Sequence, residues 1–79
     1  MLIRKMSLNT IEKVKDFSNI VCKYDSTIDI QEGRYVIDGK SILGIFSLNL
    51  FNPLEIRIDF ANEDEEKRLT SEIERFFID

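Results

Sequence analysis

Histidine is absent from the 79-residue sequence. With it go the commonest general base, the commonest zinc ligand and the usual carrier of a transferable phosphoryl group. The lone cysteine, Cys22, cannot form an internal disulfide. No stretch joins a basic start to a long apolar run and a small-residue cleavage site, and no run of about 18 apolar residues could cross a bilayer. A cytoplasmic protein with no membrane partner is the expectation. Only three glycines and one proline are present, and no linker, internal repeat or low-complexity segment interrupts the chain.

What is there is 43% hydrophobic and 33% charged, the composition of a soluble globular domain, here expected to run as one unit over residues 1–79. A chain this short buries only roughly 60% of the surface its unfolded form exposes. That leaves a thin core and little room for an enclosed active site, so an enzyme is not expected. Residues 1–59 hold eight acidic and eight basic side chains, whereas residues 60–79 hold seven acids against Lys67, Arg68 and Arg75, so the net charge of −4 resides in the tail. A binder of phosphate backbones would show a basic face. Arg4, Lys5, Lys13 and Lys15 do not make one, and no nucleic-acid partner is expected. The acidic run Glu63–Glu66 reads as the first turn of a helix, with Asn62 and Glu65 as a capping box. Carboxylates adjacent on a helix point apart, so no metal site is expected there, and no cofactor is implied.

Periodicity orders the chain. Met1–Met6 alternates weakly and suits a first strand with no disordered leader. Asn9 can cap a helix with Glu12 completing the box; Ile11, Val14, Phe17 and Val21 recur at helical spacing to about Lys23, and Tyr24, Asp25 and Ser26 end it. Thr27–Gln31 and Tyr35–Asp38 alternate about the turn Glu32-Gly33-Arg34, a β-hairpin. Ser41–Leu50 predicts a short helix with two apolar faces: Ile45 and Leu48 on one, Ile42, Leu43 and Phe46 on another. After Phe51-Asn52-Pro53, the segment Leu54–Phe60 alternates as a strand with Glu55, Arg57 and Asp59 on a wet face. A last helix runs from about Glu63 to Phe77 on the stripe Leu69, Ile73, Phe76, Phe77. The order β-α-β-β-α-β-α with half-wet strands implies an α+β fold, an antiparallel sheet covered by helices on one side only.

Few residues carry chemistry. Gly39-Lys40-Ser41 has the ending of a phosphate-binding loop, but the glycine required five places earlier is Arg34. Cys22 has no histidine to activate it and is expected to be a small buried hydrophobe. Asp25, Asp29 and Asp38 are expected to be solvated surface groups.

The segment Lys40–Leu48, KSILGIFSL, together with Lys23-Tyr24-Asp25 at an ungapped spacing, resembles the regulatory-serine region of the HPr family, the phosphocarriers of the bacterial sugar phosphotransferase system. The resemblance implies a four-stranded antiparallel sheet with three helices on one face, the open-faced sandwich of that family. It also implies that Ser41 is the regulatory phosphorylation site. The same alignment places Thr10 where the family's phosphoryl-carrying histidine stands, Glu12 at its arginine and Lys13 at its proline. A threonine phosphate is a stable ester and Glu12 repels an incoming anion, so carrier activity is expected to be lost. A regulatory or docking protein is the expected function, with Ile42, Leu43 and Phe46 as the partner surface. Expected partners are an HPr-type serine kinase or a catabolite regulator, and weak homodimerisation is another use of that surface. The alternative is a structural or binding module that keeps the fold outside sugar transport.

Overall fold

The computed structural model describes all 79 residues. Strands β1 (Leu2–Met6), β2 (Thr27–Glu32), β3 (Tyr35–Asp38) and β4 (Leu54–Asp59) and helices α1 (Ile11–Val21), α2 (Ile42–Phe46) and α3 (Glu63–Ile73) follow one another as β1-α1-β2-β3-α2-β4-α3. A 3₁₀ turn, Glu74–Phe76, closes the chain. The sheet is antiparallel throughout, in the order β1-β4-β2-β3.

Alternation in β4 places Leu54, Ile56 and Ile58 beneath the helices, fully buried, against Ile28 and Ile30 of β2 and Met6 of β1. From above, α1 contributes Val14, Phe17 and Val21, α2 contributes Ile45, and α3 contributes Leu69 and Ile73. Phe17 and Phe76 meet edge to face with centroids 5.8 Å apart, a geometry suited to the ring quadrupoles. The opposite sheet face is wet. Along one of its rows Asp29 stands between Arg57 and Asp38, and Asp25, Asp29 and Asp38 are all exposed, as expected.

The β2–β3 connection needs its glycine. Glu32 pairs with Tyr35, leaving a two-residue turn in which Gly33 has φ +59° while Arg34 has no positive φ. That is the glycine-first hairpin turn whose twist matches the strands. Gly39 is required for a different reason: a Cβ there would lie 2.5 Å from the Ile28 side chain.

The two sheet edges differ. Beside β1 the chain end adds its own pairing: the Ser7 amide donates to the Phe76 carbonyl and the Ile78 amide to the Lys5 carbonyl, both at 3.0 Å. Asp79 accepts from the Arg4 guanidinium at 2.8 Å and from the Lys5 amide at 3.0 Å. The Lys5 amide and Arg4 together hold its carboxyl below the usual range. Arg4 also lies over the Phe77 ring. This end of the chain is therefore no simple helix to Phe77: α3 stops at Ile73, and Phe77 pairs with Met6.

Candidate functional site

Two helix starts carry the residues singled out from the sequence. At α1 the cap is Thr10, not Asn9: the Thr10 hydroxyl accepts from the Lys13 amide at 3.1 Å. Both residue types cap well, and one residue decides between them. Asn9 instead accepts from the Lys13 ammonium at 3.0 Å, so no box with Glu12 forms. Ile11 is 64% exposed and the stripe it was expected to join is completed by Ser18. Thr10, Glu12 and Lys13 all face solvent. The hydroxyl is engaged as a cap, the first turn carries the carboxylate of Glu12, and no imidazole exists to hold a labile phosphoryl group.

At α2 the Ser41 hydroxyl accepts from the Gly44 amide at 3.1 Å. Gly44 sits where a Cβ would come within 3.2 Å of that hydroxyl and 3.4 Å of the Ile37 side chain, so serine and glycine fit together over β3. The approach to Ser41 is fastened at several points. Asp38 accepts from the Lys40 amide at 2.9 Å, the Ser41 amide donates to the Asp38 carbonyl, and the Lys40 ammonium donates to the Tyr24 carbonyl. Cys22, expected to be buried, is exposed; α1 ends at Val21, and the thiol one step further round lies outside, 3.7 Å from the Lys40 carbonyl.

The Tyr24 anchor is itself held by α3. Its hydroxyl donates to Glu72 at 2.6 Å, with Lys23 pairing to the same carboxylate at 3.1 Å. The Tyr24 hydroxyl bond, then Lys23, hold Glu72 below the usual carboxylate range, and Glu72 in turn pushes the phenol up. Glu65 does not close the expected box. Asn62 does accept from the Glu65 amide at 2.8 Å, but the Glu65 carboxylate reaches across to the Asp25 amide and to the Ser26 amide and hydroxyl. Partial burial raises its pKa, and the bonds from Ser26 and Asp25 outweigh that and lower it.

Beyond Ser41, Ile45 and Leu48 turn inward and are buried, while Leu43 is 80% and Phe46 40% exposed. Ile42 is half-buried and packs against the core, so it supports this surface more than it presents it. Phe51, 91% exposed in the following loop, was not singled out from the sequence. An aromatic beside Asn52-Pro53 was its signal. Leu43 and Phe46 thus form an exposed apolar surface beside the exposed Ser41; no group of side chains there could hold a metal.

A model of the PTS-HPr family, described as the PTS HPr component phosphorylation site, matches residues 13–78. The matched span begins three residues beyond Thr10. Among solved structures, the crystal structure of HPr-C-His from Thermoanaerobacter tengcongensis superposes with a TM-score of 0.73 at 19% identity, covering 92% of this chain and 90% of that chain. At that identity the likeness speaks for the fold alone. A search of curated proteins finds no match.

Proposed function

The chain belongs to the PTS-HPr family, and on that premise we propose that it is a docking member of the family without phosphohistidine carrier activity and without enzymatic activity, controlled at Ser41. What carries the reading is the exposed apolar surface of α2, Leu43 and Phe46, directly beyond an exposed Ser41. A phosphate there adds about −1.5 to −2 charges beside apolar contacts, which changes the partner that surface accepts more than it changes the fold. In the transfer, the Ser41 Oγ attacks the terminal phosphorus of ATP, ADP leaves, and the hydroxyl proton passes to a base of the kinase. The partner classes are an HPr-type serine kinase and a catabolite regulator, in the cytoplasm.

Two assays test this. Incubation with the general phosphotransferase enzyme and labelled phosphoenolpyruvate leaves the chain unlabelled; an acid-labile phosphoprotein overturns the loss of carrier activity. Treatment with an HPr-type serine kinase and ATP places a phosphate on Ser41, mapped by mass spectrometry. No incorporation, with an authentic HPr phosphorylated in the same tube, favours a second reading. In that reading the chain is a structural or protein-binding module, and its support is that the Ser41 hydroxyl and Gly44 already have a packing role together.

A further inference from the structure

The carboxylates of α3 fall on two sides that are satisfied differently. Towards α1 and the 24–26 turn, Glu65 takes the Asp25 and Ser26 amides and Glu72 takes Tyr24 and Lys23, while Asp64 pairs with Arg68. On the other side, Glu63, Glu66 and Glu74 share one helical stripe and form no salt bridge or side-chain hydrogen bond. They line a groove of about 700 Å³ floored by Leu2 and Phe60, with Lys67 as its only cation. Both floor residues are half-buried apolar side chains packed on the core.

The fold explains only part of this charge. Glu63 and Glu66 lie in the first turn, where the helix dipole favours anions. Glu74 caps the other end, where the dipole disfavours an anion, and the last turn holds no basic residue. Its neighbour Arg75 turns to Asp16, 3.9 Å away, and over the Phe76 ring. Three unpaired carboxylates around an apolar floor match one chemistry.

We propose that this groove docks a basic amphipathic segment of a partner protein, an apolar side chain seated on Leu2 and Phe60 and lysines or arginines meeting Glu63, Glu66 and Glu74. A second copy of the chain is disfavoured, because it brings net charge −4 and, in a two-fold contact, the same carboxylates. The groove lies at the β1 end of the sheet, whereas α2 packs on β3 at the other end. Occupation here leaves Ser41 and the α2 surface free, so the inference stands independently of the function proposed above.

The test uses the full chain, labelled with ¹⁵N, and a synthetic helical peptide of about three turns with leucines on one stripe and lysines flanking it. The expected result is saturable binding with amide shifts centred on Leu2, Phe60 and Thr70 and none in α2. A scrambled peptide of equal composition binds at least about tenfold more weakly. The double variant Glu66→Lys/Glu74→Lys, with an unchanged melting temperature, loses at least about tenfold in affinity; Glu74→Gln serves if the reversal unfolds the chain. No binding, shifts centred on α2, equal binding of the scrambled peptide, or indifference to the charge variants each overturn the proposal.

Discussion

At the start of α1 the Thr10 hydroxyl accepts from the Lys13 amide at 3.1 Å, and at the start of α2 the Ser41 hydroxyl accepts from the Gly44 amide at the same distance. The local cap is the same and the surroundings are not. Thr10 is followed by an exposed isoleucine and a carboxylate, and the segment before it is held by the buried Leu8, by the Ser7 amide on the Phe76 carbonyl and by Asn9 on Lys13, with no bond to the other helices. Ser41 is preceded by a segment bonded to β3, to the end of α1 and, through Tyr24, to α3. A hydroxyl at a helix start is thus a structural device in both places. What separates a bare cap from a candidate control point is the fastening beneath it and the apolar surface beyond it.

The largest test of that contrast is truncation of the first buried residue of α2 against the first residue of α1. Ile45→Ala empties a fully buried position and is expected to cost about 2–5 kcal/mol. Ile11→Ala, at a mostly exposed position, is expected to stay within about 0.5 kcal/mol. Denaturant unfolding measures both; equal costs would mean that α1 is anchored at its start as firmly as α2.

Acid sharpens the same contrast, because the fastening of α2 depends on carboxylates and the α1 cap does not. Glu72 and Glu65 have folded pKa values below the ordinary 4.5. Their contribution is therefore present above about pH 4.5 and is lost as pH falls through the lower folded values. Tyr24 is shifted the other way, above 10.0, so its contribution is complete below pH 10 and is lost as pH rises through the higher folded value. On acidification the amide protection factors at 40–46 should fall before those at 10–14. Glu72→Gln should flatten the acid limb of a melting-temperature profile; an unchanged limb would remove Glu72 from the anchor.

Cap removal is a smaller perturbation. Thr10→Ala and Ser41→Ala are each expected to cost about 1 kcal/mol, read from denaturant unfolding. The two caps part company if Ser41→Ala is neutral, which would leave the Ser41 hydroxyl without a structural role and strengthen its reading as a modification site.

Much of this was legible in the chain because periods of 2 and 3.6 leave their mark in only a few residues. Leu54, Ile56 and Ile58 announce β4, and Ile45 and Leu48 separate from Leu43 and Phe46, while Ile42, expected with the latter pair, is half-buried against the core. The HPr likeness of KSILGIFSL supplied the sheet and helix count, and the family match over residues 13–78 agrees with it. The misses have physical causes. Asn9 and Thr10 are adjacent and both able to cap. Cys22 reads as buried from its residue type, but one step beyond Val21 it turns off the buried stripe of α1 and the thiol lies outside. The Glu65 carboxylate binds the Asp25 amide 40 residues away, a long-range partner that no local pattern encodes. Likewise Phe77 reads as helical by spacing and is captured by the edge of β1.

The smallest effect on stability should come from the most exposed residue of the proposed docking surface. Leu43 has almost no packing to lose, being 80% exposed, so Leu43→Ala should change unfolding free energy by no more than about 0.5 kcal/mol. An apolar side chain held in water on a short helix contributes little to the fold that alanine would not, and its burial by a partner is the gain a docking surface offers. If α2 is a docking surface, the variant should weaken self-association at high concentration, or binding to an HPr-type serine kinase, while its melting temperature stays that of the parent. Sedimentation equilibrium and kinase binding read the first, and thermal unfolding the second. A fall in melting temperature with unchanged association would place Leu43 in the packing of α2 and remove the distinction between the two helix starts.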